Sequence, residues 1–518
     1  MTQQEANAMN NRISTLEAEK EALSTENKKL QQQVAYLQKH LFGRKSEKTS
    51  VVFDGQIDLF DEAEQESKKK VSEPELQTIK EHRRKKSVGQ REKLIEDLPH
   101  EEKLYTLKPE ERSCKRCGTE LVSMGKELIR TEVEFIPAKL RIIDHVRETF
   151  ECRSCRKENH FSIEKPNMPN PVLAHSLASA SSIAHIMVQK YGQALPLYRQ
   201  EKEWKDLGLE LTRSTLASWI MRSSRDWLMP VVELLHKKLL EETYIHGDET
   251  TVTVMKEPNR KNTSVSYMWV YASGKYGAKH AIRIFEYQPG RNGKYPQEFL
   301  QGFQGYLHTD AYAGYNKVAD VTRCLCWSHV RRNLVDALPQ GLNDEETTLT
   351  KAGIEQINQL FYMEKKFVSL EAKERKEQRL LQEKPALEAF WLWIETNKDK
   401  IAPKSKLRKA MNYAENNKKG LEAFLEDGNC NLSNNWAENS IRPFTIGRKN
   451  WLFSGSPKGA AASAAIYSLI ETCKANKINE YNYLKYLFET LPNIPFLREP
   501  QLLEDHLPWS EKIQKICK

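Results

Sequence analysis

Leucines recur at every seventh position near the N-terminus, at Leu16, Leu23, Leu30 and Leu37. A second heptad series, offset by three positions, runs from Ile13 to Leu41 and passes through Asn27. Two such series are the a and d positions of a coiled coil, and an Asn at an a position favours a dimer in one register. We therefore predict a dimeric coiled coil over about residues 10–42. An amphipathic helix packed on its own domain is the alternative.

Farther along the chain, alternation of apolar and polar side chains predicts five strands. They lie near residues 243–254, 266–273, 280–288, 305–310 and 322–327. A helical stretch near 295–303 separates the third strand from the fourth. The predicted order is three strands, a helix and then a strand that ends in an acidic residue. This order is close to that of a ribonuclease H-like fold. We predict a multidomain α/β protein with such a core.

Helical patterns surround this core. Residues 170–240 contain two helical segments joined at Gly208, and Thr212 or Ser214 can cap the second. They form either a helix-turn-helix, with Arg213 at the start of the DNA-reading helix, or a helical spacer. Residues 476–518 are expected to form a helical tail. Residues 43–105 are polar and charged with little periodicity, which predicts a linker.

Three acidic residues in distant segments are the candidate chemistry. Asp248 lies in the first core strand and Asp310 at the end of the fourth. Glu438 follows Ser433, Asn434 and Asn435, which are possible N-caps, so it falls in the first turns of a helix. Two strand aspartates and a helix glutamate could hold two Mg²⁺ or Mn²⁺ ions, which prefer oxygen ligands and catalyse phosphoryl transfer.

The residues between the second and third acids predict an insertion. Asp310 and Glu438 are separated by 127 residues, too many for a simple connection. Residues 336–430 have helical patterns with charged faces, so we predict an all-helical insertion. The catalytic core would then consist of residues 241–335 and 431–475.

Cationic residues follow the third acid. Arg442 is four positions after Glu438 and shares its helix face, and Pro443 predicts that the helix ends at Arg442. Arg448, Lys449 and Trp451 come next. Arg442, Arg448 and Lys449 could contact DNA phosphates, and Trp451 could stack on a base or pack in the core.

Four cysteines form two Cys-x-x-Cys pairs, a strong signal for a structural Zn²⁺ ion. The pairs are separated by 34 residues and consist of Cys114, Cys117, Cys152 and Cys155. Alternating segments around Val133–Phe135 and Leu140–Ile142 predict a β-hairpin between them. Residues 106–165 therefore read as a zinc ribbon-like module.

Composition narrows the class of protein. The net charge of +9 over 518 residues is a mild indication of a polyanionic partner. No stretch approaches about 18 uninterrupted apolar residues, and no basic segment followed by an apolar core opens the chain. We expect a cytoplasmic protein without a membrane span. Nine cysteines in such a protein indicate metal ligands rather than disulfides.

Five segments together resemble the bacterial transposases of the insertion sequence 66 family, over nearly the whole chain. Three segments carry the acids, and the others are Cys326-Trp-Ser-His329-Val-Arg-Arg332 and Gly447-Arg-Lys-Asn-Trp-Leu-Phe-Ser-Gly-Ser456. The resemblance implies that Asp248, Asp310 and Glu438 are that family's DDE residues. It also implies that the Cys-x-x-His pair supports the active site, with Arg331 or Arg332 on a DNA phosphate.

The expected function is that of a DNA transposase, which cleaves transposon ends and joins the 3′-OH to target DNA. Its partners would be transposon-end and target DNA, a second copy of the chain, and accessory proteins of the same element. Two alternatives remain open. One is a catalytically inactive DNA-binding regulator, and the other is a ribonuclease H-like nuclease that cuts without joining.

Overall fold

The computed structural model describes residues 163–338 and 345–518, with short stretches between 101 and 152. The chain divides into two units, residues 1–101 and 102–518, and the helices and strands given below belong to the second. The predicted coiled coil at 10–42 and most of the predicted linker at 43–105 lie outside the described residues.

A mixed sheet forms the centre of the second unit. The described strands are β1 (Phe150–Glu151), β2 (Ile163–Glu164), β3 (Tyr244–Val254), β4 (Val265–Ser273), β5 (Arg283–Gln288), β6 (Gly305–Thr309), β7 (Val321–Leu325) and β8 (Phe453–Ser454). The central sheet has the order β5-β4-β3-β6-β7, and β8 pairs with the far end of β3. Strands β3, β4 and β5 are antiparallel neighbours, whereas β6 and β7 run parallel to β3. The five predicted core strands are confirmed to within three residues at each end.

Helices precede, interrupt and follow the strands of the central sheet along the chain. The N-terminal group is α1 (Ala180–Met187), α2 (Leu197–Asp206), α3 (Arg213–Ser223) and α4 (Met229–Leu240). Within and after the sheet come α5 (Lys294–Phe299), α6 (Trp327–Asp336), α7 (Glu345–Phe367), α8 (Ala372–Gln378), α9 (Lys384–Lys398), α10 (Lys406–Asn416) and α11 (Lys418–Glu422). The last are α12 (Asn435–Trp451), α13 (Pro457–Ala475), α14 (Glu480–Thr490) and α15 (Glu511–Ile516). Short π segments at 188–192, 224–228 and 379–383 extend α1, α3 and α8, and 3₁₀ turns lie at 313–317, 423–425, 491–493 and 500–506.

Strand β5 is an edge strand whose outer backbone groups are satisfied by side chains of α13. Thr472 Oγ1 accepts from the Arg283 N–H and donates to its carbonyl, both at 3.0 Å. Ser468 Oγ accepts from the Phe285 N–H at 2.8 Å. An open sheet edge invites pairing with another chain, so these hydroxyls close the edge with a helix instead of a strand.

Two apolar clusters hold the second unit together. The larger joins helices α1 to α4, the sheet and helices α12 to α15. The smaller joins β7 and α6 to the helices of residues 345–425, around the fully buried Trp327. Beside it, Arg379 is completely buried, with its guanidinium bonded to Glu364 and to the carbonyls of Phe424, Asp427 and Cys430. This arginine ties the described helices of the predicted insertion to the segment that precedes α12.

The two predicted helices around Gly208 are present as α2 and α3. Gly208 has a φ of +94°, a conformation that glycine adopts without strain. Thr212 caps α3, because its side chain accepts from the Thr215 N–H at 3.2 Å. Arg213 therefore stands at the first position of α3, and its side chain is exposed.

Two local predictions were wrong. Helix α12 does not end at Arg442 but continues through Pro443 to Trp451. Proline removes one backbone N–H from the ladder, and burial of Ile441, Phe444 and Gly447 on one face of α12 keeps the helix going. The strand predicted around Leu140 and Ile142 is also absent from residues 138–149, where both side chains are exposed.

No helix in the described part of the chain is long and apolar enough to cross a bilayer.

Candidate active site

The pairing register of β3 and β6 brings the two aspartates together. The strands are parallel, with His246 opposite His308, and the two rings stack at 4.2 Å with an interplanar angle of 11°. Asp248 and Asp310 each follow one of these histidines by two positions. Because side chains of a strand alternate between faces, both aspartates continue on the face of the stacked rings.

Burial keeps both histidines neutral. It lowers the pKa of His246 to about 3 and that of His308 well below its usual range. The rings therefore add no positive charge beside the aspartates.

Helix α12 supplies the third acid, and Asn434 fixes where this helix starts. Asn434 is the N-cap residue, and its carbonyl accepts from the Glu438 N–H at 3.3 Å. Its side chain does not cap the helix. Instead, Nδ2 donates to the Gly247 carbonyl at 2.8 Å, and Oδ1 lies 3.0 Å from His246 Nδ1. The amide orientation set by Gly247 makes His246 Nδ1 the donor in this second bond.

The backbone of Asn434 also contacts α6 and the strand that precedes it. Its N–H donates to the Cys326 sulfur at 3.1 Å. One turn of α12 after Asn434, Glu438 reaches the same region as Asp248. Thus a single residue joins β3, the start of α6 and the helix that carries the third acid.

The carboxylates are close enough to perturb one another. The pKa of Asp248 lies well above its usual range because of burial, then the charges of Glu249 and Glu438, with a smaller effect of Asp310. Glu438 Oε1 is buried and has no hydrogen-bond partner in the described structure. Uncompensated buried carboxylate oxygens are costly, and a divalent cation would satisfy them. The donor set therefore fits Mg²⁺ or Mn²⁺.

A cavity of about 310 Å³ opens beside these groups. Its lining consists of Asp248, His329, Arg332, Glu438, Ile441, Arg442 and Thr445. Two acids and two arginines thus share one concave surface, as a site for a phosphodiester requires. Asp310 directly follows β6 and is not part of this lining, and its Oδ1 accepts from the Tyr312 N–H at 3.0 Å.

Sequence reasoning missed a second ion-pair layer behind the aspartates. Glu249 is almost fully buried, and its Oε1 lies 2.5 Å from Arg291 Nη2. The same guanidinium nitrogen lies 3.7 Å from Asp310 Oδ2. Burial and the charge of Asp310 raise the pKa of Glu249, against the effects of Arg291 and of a 2.8 Å bond from the Tyr315 hydroxyl. Arg291 therefore links Glu249 to Asp310. In the sequence, the only signal for this role is a cationic residue in a predicted loop.

The Cys-x-x-His pair lies directly beside the third acid. The ligand atoms of Cys326, His329 and Glu438 all lie within 4.8 Å of one another. His329 Nδ1 is buried without a partner among the described residues, and burial lowers the pKa of this histidine. The prediction that this pair supports the site remains a prediction, but its position next to Glu438 agrees with it.

The predicted phosphate-binding residues fall into two groups. Arg332 and Arg442 are exposed at the cavity, and Lys449 is exposed on the last turn of α12. In contrast, Arg331 is buried, and its Nε donates to Asn358 Oδ1 at 2.7 Å. Arg448 is bonded to Thr250 Oγ1 at 3.0 Å and to the backbone carbonyl of Thr251.

Arg448 therefore fastens α12 to β3, and Arg331 fastens α6 to α7. Trp451 is partly buried against the core, edge-on to Tyr191 at 6.3 Å.

Of the four predicted zinc ligands, the structure describes one. Cys114, Cys117 and Cys155 lie outside the described residues, and Cys152 is exposed.

Comparison with known families decides the class of protein. A family model described as "Transposase IS66 family" matches residues 175–462, more than half of the chain. The chain belongs to the IS66 transposase family. The span contains all three acids and the cavity residues. Further matches of this IS66 family member are "zinc-finger binding domain of transposase IS66" at 111–156, "Transposase C of IS166 homeodomain" at 29–102 and "IS66 C-terminal element" at 468–509.

Relatives of this IS66 family member occur in Sinorhizobium fredii (strain NBRC 101917 / NGR234). The uncharacterized protein y4hP is 26% identical over 508 residues, which cover 93% of this chain and 88% of y4hP. The uncharacterized protein y4qI is 29% identical over 412 residues, which cover 76% and 73% of the two chains. The similarity extends along most of the chain, and both relatives are described as uncharacterized.

Replacing Asn434 with alanine should destabilise the protein. Asn434→Ala leaves the Gly247 carbonyl and His246 Nδ1 buried without partners, which we expect to cost about 2–4 kcal/mol in the free energy of unfolding. Urea unfolding measures this loss. The matched control is Asn450→Ala, which removes one exposed bond to the Ala194 carbonyl and should change stability by less than about 0.5 kcal/mol. Equal losses in the two variants would show that the Asn434 bridge has no special role.

The raised pKa of Asp248 gives a pH-dependent prediction. Its folded pKa exceeds its unfolded pKa, so ionising it above pH of about 4 destabilises the ion-free folded state progressively up to the folded pKa. In buffer without divalent ions, Asp248→Asn should therefore melt at a higher temperature than the wild type, by about 1 °C for each kcal/mol relieved in a unit of this size. The difference should be larger at pH 7 than at pH 4.

Added Mn²⁺ should raise the melting temperature of the wild type and have little effect on Asp248→Asn. The control is Glu388→Gln, an exposed glutamate of α9, which should respond to Mn²⁺ as the wild type does. An equal Mn²⁺ effect in all three proteins would place the ion elsewhere.

Proposed function

We propose that this IS66 family member is a DDE-type DNA transposase that cleaves transposon ends and joins the 3′-OH to target DNA. Asp248, Asp310 and Glu438 would together hold two divalent ions, Mg²⁺ or Mn²⁺. The observation that carries the proposal is that Asp248 and Glu438, from distant segments of the chain, line one cavity, while β6 pairs in parallel with β3 just before Asp310. The alternatives are the inactive DNA-binding regulator and the nuclease that does not join strands.

The strand order supports a ribonuclease H-like core. Three antiparallel strands are followed by two strands parallel to the first, with an acid on the first strand and an acid just after the fourth. The helices between β7 and α12 separate the third acid from the first two in sequence. We propose that residues 336–430 are an insertion into this core.

Asp248, Asp310 and Glu438 would hold the two divalent ions, which would supply activation of the attacking oxygen and charge stabilisation at the leaving oxygen. The chain's own residues would do the rest. Arg332 and Arg442 face the cavity and would hold the scissile phosphate and its added charge. Glu249 and Arg291 would set the position of Asp310 from behind. Asn434 would keep Glu438 in register with Asp248.

The remaining regions would bring the DNA and a second subunit to this core. We propose that Cys114, Cys117, Cys152 and Cys155 bind one structural Zn²⁺ ion, in agreement with the zinc-finger family match. Residues 10–42 would pair two copies as a coiled coil. The α2–α3 pair would be a helix-turn-helix that presents Arg213 to DNA, and Lys449 would contact a phosphate beside the cavity.

Strand cleavage and joining on labelled element-end DNA tests the proposal. With Mg²⁺, the wild type should cut the ends and produce joined products, with accessory proteins of the element added where needed. Glu438→Gln should reduce both steps more than about 100-fold, because even partners of metal ligands contribute about 10–100-fold. Glu388→Gln is the matched control and should retain full activity.

The outcomes separate the alternatives. Binding of the ends without cleavage by any of these proteins would favour the inactive regulator. Cleavage without joining would favour the nuclease. Cleavage that survives Glu438→Gln would show that Glu438 is not the third acid.

A further inference from the structure

A second group of potential metal ligands lies inside the protein, apart from the carboxylates. It consists of His308 on β6, Cys324 on β7 and Cys430 in the segment that precedes α12. One ring nitrogen of His308 and the two sulfurs all lie within 4.8 Å of one another. All three side chains are buried, with exposed fractions of 1%, 1% and 0%.

These groups have few partners of their own. His308 Nε2 is buried without a hydrogen-bond partner in the described structure. The two cysteines contact each other, with 3.8 Å between the sulfurs. A buried ring nitrogen without a partner costs about 1–3 kcal/mol, and a thiol is a weak hydrogen-bond donor. Such a group needs an explanation, and a bound ion is one of the recognised explanations.

The spacing of the sulfurs fits a shared metal ion. Two thiolates in a tetrahedral zinc site, each about 2.3 Å from the ion, are about 3.8 Å apart. A disulfide would need about 2.0 Å between the same atoms. The observed 3.8 Å separation is that of a hydrogen bond from Cys324 Sγ to Cys430 Sγ, and it also matches the distance between two sulfurs bound to one ion.

The surroundings are also compatible with an ion. The His308 ring is buried and stacked on the His246 ring at 4.2 Å, which fixes the orientation of this ligand. Two thiolates would balance the charge of a divalent ion in this apolar position. Arg379 donates to the Cys430 carbonyl at 2.8 Å, which holds the main chain of the third ligand in place.

We propose that His308, Cys324 and Cys430 bind one thiophilic metal ion, with Zn²⁺ as the representative of its class. A Cys₂His set with the fourth position open to water is a known zinc arrangement. The ion would link β6 and β7 to the segment that leads into α12. Because Cys430 precedes Asn434 by four residues, the site would fix the approach to the helix that carries Glu438. The proposal does not depend on the transposase activity.

The test is the zinc content of the anaerobically purified full chain, measured by mass spectrometry of the metal. The wild type should contain one more zinc per chain than the Cys324→Ala/Cys430→Ala double variant. The matched control is Cys473→Ala, which changes a fully buried cysteine of α13 and should retain the wild-type content. The count is a difference, so zinc at the four cysteines of residues 106–165 does not affect it. Equal zinc in all three proteins would overturn the proposal.

X-ray absorption at the zinc edge of the wild type avoids any dependence on how the variants fold. The Cys114 to Cys155 set alone would surround zinc with sulfur only. The proposed site adds nitrogen and oxygen ligands, so the average shell should contain both kinds. A shell of four sulfurs, or a Cys324–Cys430 disulfide in the anaerobic protein, would contradict the proposal.

Discussion

The contact on which the candidate site depends is the amide of Asn434 against β3. One side chain bonds to the Gly247 carbonyl and to His246, and its backbone holds the first turn of α12. Without this contact, nothing at the start of α12 would fix the position of Glu438 relative to Asp248. The stacked pair of His246 and His308 fixes β6 against β3 at the same point. Strands β3 and β6 and the start of α12 therefore meet at one buried junction. Each of them carries one of the three acids shortly after the junction.

The acids that follow this junction oppose folding when no cation is present. Asp248 is buried among like charges, and Glu438 has a carboxylate oxygen without a partner among the described residues. The stability needed to hold them comes from elsewhere. The Arg291 guanidinium offsets part of the charge from behind, and the two apolar clusters anchor the sheet and α12. Strain of this kind is expected where a site is preorganised for an ion or a charged substrate.

The local sequence pattern predicted the five strands and placed the acids in two strands and at a helix start. This was possible because apolar alternation and capping residues determine structure over short stretches. The five core strands were confirmed, and Asp248 and Glu438 line one cavity. What could not be predicted depends on tertiary contacts. Asn434 is one of the three predicted N-caps and does begin α12, but its side chain bonds to a strand almost 190 residues away instead of to the helix. Pro443 was expected to end α12, but packing of the helix face outweighs the loss of one hydrogen bond. The role of Arg291 required knowing that its loop lies beside Asp310.

The most direct test of this account is iron-directed cleavage of the protein backbone. Fe²⁺ binds oxygen-ligand sites that also bind Mg²⁺, and with ascorbate and peroxide it cuts the nearest main chain. The account predicts cuts close to residues 248, 310 and 438 in the full chain, all suppressed by excess Mg²⁺. Cuts confined to other segments, or cuts near only one of the three acids, would contradict the claim that these carboxylates share one divalent-metal site.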